Sequence, residues 1–151
     1  MTAVGPRPLL YIKLTIPRGG PAEYFERVLI GERVALLKDA DEPGLSTAAR
    51  KEIGQEILWV DQTLRDWKGN FDPTTVKLRV FRGGHDAFLL GLMRDEEETL
   101  LEDIATTREN GVPEDSDRMM QLRLQVDWVS TFLLDLARGM THLAGPNEDP
   151  R

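Results

Sequence analysis

Two Arg-Gly-Gly segments are the strongest candidates for chemistry in this sequence. Glycines that precede a helix can direct several backbone N–H groups at one anion, and an adjacent arginine adds positive charge. The candidates for two equivalent anion sites are Arg18, Gly19 and Gly20 in the first segment and Arg82, Gly83 and Gly84 in the second. The alternative is that each glycine pair only turns an extended segment into a helix. We favour the turn, because neither segment continues into the Gly-Lys-Ser/Thr of a phosphate-binding loop.

A run of acidic residues at 95–98, followed by Glu102 and Asp103, could offer carboxylates to a metal. A dimetal helical bundle, however, uses a glutamate three residues before a histidine, and neither His85 nor His142 has one. The histidines also have no serine or acidic partner at the spacing of a known catalytic motif. We therefore predict no metal, no cofactor and no catalytic centre. We interpret the run as an acidic helix surface.

The composition excludes several classes of protein. The 151 residues contain 26 acidic and 19 basic side chains, and the resulting net charge of −7 argues against direct binding of nucleic acid. The absence of cysteine excludes disulfides and thiolate chemistry. No apolar stretch approaches the roughly 20 residues of a membrane-spanning helix, and the start lacks the pattern of a signal peptide. We expect a cytoplasmic protein that does not bind membranes.

The sequence contains an internal repeat. A shift of 64 residues places 11–40 on 75–104 without a gap and gives nine identities in thirty positions, the two Arg-Gly-Gly segments among them. A second shift, of 69 residues, places 53–67 on 122–136. We interpret this as a duplication. The predicted organisation is an N-terminal lead over 1–9, a first unit over 10–70, a second unit over 71–144 and a flexible tail over 145–151.

Each unit is predicted to contain a short extended segment, a glycine turn and two helices. Apolar residues alternate at Leu10, Ile12, Leu14 and Ile16, and again across 76–80, which favours strands, although a short helical lead-in could carry the same residues. Helices are predicted over 22–39 and 86–109, and Ser46 and Ser116 are predicted to cap the helices that follow. The expected fold is mostly α: two tandem αα-hairpins in a helical bundle, each preceded by a short extended or β segment.

The second and fourth helices each carry an apolar stripe at spacings of three and four residues. The stripe residues are Ile53, Ile57, Val60, Leu64 and Trp67 in the second helix and Leu122, Val126, Val129, Leu133, Leu136 and Met140 in the fourth. Such stripes are predicted to be buried against neighbouring helices.

A second row, which we call the aromatic row, contains Leu124, Trp128 and Phe132, with Trp59 as the counterpart of Trp128. It could pack within the chain, form the seam of a homodimer or line a cleft for a small apolar ligand. These four residues are the candidates for ligand or partner binding.

The segment 76–84, Val-Lys-Leu-Arg-Val-Phe-Arg-Gly-Gly, is followed by a helix that ends near Gly111 and by the helix that contains Trp128. It resembles the carboxyl-terminal helical domain of PadR-like transcription regulators, and residues 11–67 resemble a weaker copy. The resemblance implies a domain for dimerisation and effector sensing, in which Trp128 and Trp59 would face a ligand. The winged helix that would precede this domain in the family is replaced here by the first unit. The resemblance thus implies a sensor that pairs with a full-length regulator and does not itself contact DNA.

The predicted function is therefore a non-catalytic regulatory module that dimerises, senses a small apolar ligand or pairs with a regulator. A structural adaptor that docks a basic partner through the acidic helix surface is the alternative. An enzyme that holds an anionic substrate at the Arg-Gly-Gly turns is a third possibility, which the motifs favour least.

Overall fold

The computed structural model describes residues 7–8, 10–141 and 143–144. The elements are β1 (Arg7–Pro8), β2 (Tyr11–Pro17), α1 (Pro21–Ala40), α2 (Thr47–Lys68), β3 (Thr75–Phe81), α3 (His85–Glu109), α4 (Asp117–Thr141) and β4 (Leu143–Ala144). This part of the chain is thus mostly helical, as predicted, with two small sheets. The predicted tail over 145–151 and the side chain of His142 lie outside the described residues.

β2 and β3 form an antiparallel two-stranded ribbon. At one end the N–H of Arg18 donates to the carbonyl of Thr74 at 2.9 Å, and at the other the N–H of Arg82 donates to the carbonyl of Leu10 at 3.1 Å. The two bonds are related by the 64-residue shift of the repeat, in which Arg18 corresponds to Arg82 and Leu10 corresponds to Thr74. The prediction of strands is confirmed, except that Leu10, where the alternation starts, lies before β2 and is 63% exposed.

A glycine pair connects each strand of the ribbon to the helix that follows. Gly19 and Gly83 have φ of 92° and 96°, and Gly20 and Gly84 have φ of 147° and 140°. Residues other than glycine rarely adopt these φ angles, so that both positions of each pair require glycine.

The helices begin close to where the sequence places them. α1 and α3 start one residue earlier than predicted, at Pro21 and His85. Proline suits the first turn of a helix because its missing N–H would have no partner there. The predicted caps are confirmed: the hydroxyl of Ser46 accepts from the N–H of Ala49 at 3.1 Å, and that of Ser116 accepts from the N–H of Met119 at 3.2 Å.

The described residues divide into two compact units. One unit is Lys13–Phe81, in which α1 packs against α2 and α2 packs against β3. The other draws its described residues from Met1–Ile12 and Arg82–Arg151, and in it α3 packs against α4 and β1 pairs with β4. In this division β3 groups with the helix pair that precedes it, on which it packs, and the units over 10–70 and 71–144 remain a prediction.

The core of the Lys13–Phe81 unit combines one face of the ribbon with the inner faces of two helices. Its buried apolar side chains are Leu14, Ile16, Ala22, Tyr24, Phe25, Leu29, Leu36, Val60, Trp67, Val76, Leu78 and Val80. On α2, Val60 and Trp67 of the predicted stripe are buried, whereas Ile53, Ile57 and Leu64 are half-buried. The stripe therefore faces the core with one edge near solvent.

The core of the other unit lies between α3 and α4. Its buried apolar side chains are Tyr11, Ile12, Leu89, Met93, Leu100, Ile104, Met119, Leu122, Val129, Phe132 and Leu136. Gly139 of α4 lies so close to Ile12 of β2 that a Cβ on this glycine would overlap Cγ2 of Ile12. α4 therefore approaches the strand at a position that only glycine can occupy without displacement. Within the described ranges, no helix is long and apolar enough to cross a membrane.

Candidate functional site

The first Arg-Gly-Gly turn is closed by the chain's own groups. The N–H groups of Gly19 and Gly20 both donate to Oε1 of Glu23, at 2.8 and 2.6 Å. The guanidinium of Arg18 donates to the carbonyls of Asp72 and Asn70, at 2.8 and 3.1 Å. The hydrogen bond from the Gly20 N–H has the largest effect on Glu23 and lowers its pKa, and the charge of Arg18 lowers it by a smaller amount.

The second turn has the same arrangement with a different carboxylate. Oδ1 of Asp86 accepts from the N–H groups of Gly83 and Gly84, at 3.2 and 3.0 Å, and Arg82 donates to the carbonyl of Met140 in the last turn of α4. The arginine before each helix pair thus binds carbonyls at or just after the end of the pair's second helix. An external anion would have to displace Glu23 or Asp86, which favours the turn interpretation of both segments.

The four residues of the aromatic row differ in burial. Trp59 and Trp128 are half-buried, Phe132 is 5% exposed and Leu124 is 45% exposed. On α4, Phe132 lies seven residues before Gly139, which puts both on the side of the helix that meets Ile12. Phe132 therefore belongs to the core, whereas Leu124 is the member of the row that is open to solvent.

α1 carries an exposed apolar stripe that the sequence does not predict. Ile30, Val34 and Leu37 are 49%, 62% and 40% exposed and follow one another at spacings of four and three residues, whereas Leu29 and Leu36 on a different side of the helix are buried. We call these three residues the α1 stripe. Because α1 is apolar on two sides, its sequence shows no clean periodicity, and the exposed side could have been recognised only by assigning the core side first.

The ends of the α1 stripe carry opposite charges. Arg27 lies three residues before Ile30, and Asp41 lies four residues after Leu37, so that both continue the helical spacing of the stripe. Both side chains are exposed. At its flank, Arg33 forms an ion pair with Asp61 of α2, with 2.5 Å between Nε and Oδ1. The stripe is therefore an apolar strip bordered by charged groups.

The acidic surface of α3 is exposed in part, and its other members are half-buried. Asp95, Glu98 and Glu102 are exposed, and Glu97 accepts a hydrogen bond from the hydroxyl of Ser130 at 2.7 Å. Within the described residues, no three His, Cys, Asp or Glu side chains come together as a metal site would require. His85 is buried beside the glycine turn at the start of α3.

Comparisons with family models, curated proteins and solved structures give no match to the chain.

Proposed function

We propose that this chain is a non-catalytic regulatory module that associates with a second copy of itself through the α1 stripe. The observation that carries the proposal is the exposure of three large apolar side chains in a row on one helix. Exposed apolar strips bordered by polar groups are typical of sites of protein association. The stripe suits this role better than the aromatic row does, since Phe132 of that row is buried in the core.

Charge favours a second copy as the partner. If two α1 helices cross antiparallel about a two-fold axis at Val34, Ile30 of one copy lies level with Leu37 of the other to within one residue. The same axis sets Arg27 of one copy level with Asp41 of the other, since these residues lie seven positions before and seven positions after Val34. A two-fold interface must be self-complementary in this way.

The test is the mass of the protein in solution at several concentrations, by sedimentation velocity. Three side chains per copy form less than a standard interface, so that we expect a dimer with a Kd on the order of micromolar. Val34→Glu places two carboxylates at the two-fold axis and is expected to weaken the dimer at least about tenfold. The matched control is Leu134→Glu on α4, where a leucine that is 52% exposed lies outside the stripe, and this variant is expected to dimerise as the wild type does.

Charge-reversal variants test whether the two α1 helices of the dimer cross antiparallel. Arg27→Glu and Asp41→Arg are each expected to weaken the dimer, and the double variant is expected to restore it, because the pair is then reversed and intact. A wild-type protein that stays monomeric across the micromolar range would overturn the proposal. So would a double variant that is weaker than both single variants, since the two charges would then not face one another.

The relation to PadR-like regulators belongs to this proposal as well. It is supported by the order of elements from 76 onward, a strand, a glycine turn and two helices. A regulator of that family would be an additional partner, and an apolar ligand would bind near Leu124, the exposed end of the aromatic row. Quenching of tryptophan fluorescence by planar apolar compounds tests this, and a flat response across such compounds would contradict it.

We also propose that the two helix pairs arose by duplication. In support, α1 and α3 begin 64 residues apart, and the glycine pairs before them have nearly equal φ angles. Gly20→Ala and Gly84→Ala are therefore expected to lower the free energy of unfolding by similar amounts. Costs that differ by more than about 1 kcal/mol would show that the turns are not equivalent.

The acidic surface of α3 supports an alternative function, docking of a basic partner. Its supporting observation is that Asp95, Glu98 and Glu102 are all exposed. Such a complex would loosen markedly as ionic strength rises, whereas an apolar interface at the α1 stripe would hold. An association that persists at high salt would therefore contradict the alternative.

A further inference from the structure

The outer face of the β2–β3 ribbon carries an unusual concentration of positive charge. The two strands, Tyr-Ile-Lys-Leu-Thr-Ile-Pro and Thr-Val-Lys-Leu-Arg-Val-Phe, contain three cations and no acidic residue, in a chain whose net charge is −7. Lys13, Lys77 and Arg79 are exposed, and so is Thr15 between them, whereas Leu14 and Leu78 point into the core. We call these four exposed residues the ribbon face.

The register of the ribbon brings like charges together. The hydrogen bonds from Arg18 to Thr74 and from Arg82 to Leu10 place Lys13 directly opposite Arg79, and Thr15 opposite Lys77. Both are pairs of the type that exchanges no hydrogen bonds, in which the Cα atoms are closest, about 4.5 Å apart. Two cations on neighbouring strands are therefore close enough to bind one anionic group together.

The ribbon face borders a cleft that is large enough for a small ligand. This cleft, of about 440 Å³, is lined by Lys13, Thr15, Lys77 and Arg79 together with Leu14 and Leu78. A second cleft of about 310 Å³ shares Lys77 and Arg79 and adds Arg65, Asn70, Gly69 and one carboxylate, Asp66. The first volume falls within the range of small-ligand sites.

One of the cations is held in place by its neighbour. The side-chain amide of Asn70 accepts from the N–H of Lys77 at 2.8 Å and donates to its carbonyl at 3.0 Å, which fixes the backbone that carries the lysine. Arg18 in turn holds the segment after α2 through the carbonyls of Asn70 and Asp72. A backbone fixed before binding lowers the entropy lost when a ligand orders the site.

We propose that the ribbon face binds a small ligand that carries two or more phosphate groups. Arginine and lysine together with a hydroxyl are the donors that phosphate oxygens prefer, and three cations on one face match a ligand with several negative charges. A long nucleic acid is the less favoured occupant, since the acidic balance of the whole chain opposes a phosphate backbone that extends past the ribbon.

The test uses inorganic tripolyphosphate as the probe, with the full chain, in isothermal titration calorimetry. We expect saturable binding by the wild type and a Kd raised at least tenfold in the double variant Lys77→Gln/Arg79→Gln. The control, Lys51→Gln/Arg118→Gln, removes two exposed helical cations away from the ribbon and is expected to bind as the wild type does. ATP is titrated in parallel: binding tighter than that of tripolyphosphate would show that a nucleoside is part of the ligand, and equal binding would show recognition of the phosphates alone.

Thermal unfolding provides a readout that does not depend on heat of binding. Tripolyphosphate is expected to raise the melting temperature of the wild type and of the control, but not that of the double variant. The proposal is overturned if tripolyphosphate does not bind, if the double variant binds it unchanged, or if only a DNA duplex binds with the steep salt dependence of a backbone contact.

Discussion

Asn70 pairs with the backbone of Lys77 through both ends of its amide, as the backbone of another strand would. Oδ1 accepts from the N–H of Lys77 at 2.8 Å, and Nδ2 donates to its carbonyl at 3.0 Å. The same Nδ2 also donates to the carbonyl of Asp66 in the last turn of α2. One side chain therefore ties the end of a helix to the middle of the strand that packs on it.

Asn70→Ala is expected to lower the free energy of unfolding by about 1–3 kcal/mol, because it leaves backbone groups of Lys77 without these partners. Urea denaturation followed by circular dichroism measures the change. The control is Asn110→Ala at the end of α3, where the asparagine is exposed, and we expect a change within about 0.5 kcal/mol. Equal effects of the two substitutions would contradict the role of Asn70.

Gly139→Ala is expected to destabilise the protein by about 1–3 kcal/mol, since the new Cβ would overlap Cγ2 of Ile12 and lie 3.1 Å from its Cγ1. In an Ile12→Ala background, which removes both atoms, the same substitution is expected to cost less. Gly91→Ala in α3 is the control: a Cβ there meets no atom within 4 Å, and the better helix former is expected to add about 0.5–1 kcal/mol. Additive effects of Gly139→Ala and Ile12→Ala would show that the two residues are not in contact.

The stability of the protein is expected to depend on the protonation of Glu56. Its pKa is raised, first by partial burial and then by the charges of Glu52, Glu32 and Asp39. The folded protein therefore holds this proton at a higher pH than the unfolded chain does, so that the contribution of Glu56 to stability is greatest at low pH and is lost as the pH rises through its folded pKa.

Glu56→Gln is accordingly expected to raise the free energy of unfolding at pH 7, with a gain that shrinks as the pH falls through the folded pKa of Glu56. Denaturant unfolding of both proteins at several pH values measures this. Glu42→Gln, in the exposed loop after α1, is the control and is expected to change stability little. A gain from Glu56→Gln that is constant with pH would contradict the electrostatic origin.

The helices and strands could be predicted from the sequence because local signals agree with the fold. Alternation marks the strands, glycine pairs mark the turns, and Ser46 and Ser116 cap the helices where their position predicts it. The carboxylates that close the glycine turns were missed for a physical reason. Glu23 and Asp86 each accept hydrogen bonds from a glycine pair, but their positions differ by one residue in the repeat. The alignment of the two copies therefore shows no identical residue there.

The candidate surfaces were harder to predict than the elements. In the sequence, the residues of the α1 stripe cannot be told from core residues. The structure shows that Leu29 and Leu36 are the buried residues of this helix and that Val34 is exposed. The ribbon face depends on the register between two strands that lie far apart in the chain. Lys13 and Arg79 show nothing in common in the sequence and become opposed only when β2 pairs with β3.

The ribbon also bears on the order in which the chain folds. Helices joined by the short loops over 41–46 and 110–116 can meet early, because little entropy is lost in closing them. The hydrogen bonds from Arg18 to Thr74 and from Arg82 to Leu10, by contrast, both close a loop that contains the helix pair of α1 and α2. Late closure of this loop would leave the strand edge of β2 exposed in the nascent chain until β3 has been synthesised, which makes the ribbon the step at which folding competes with aggregation.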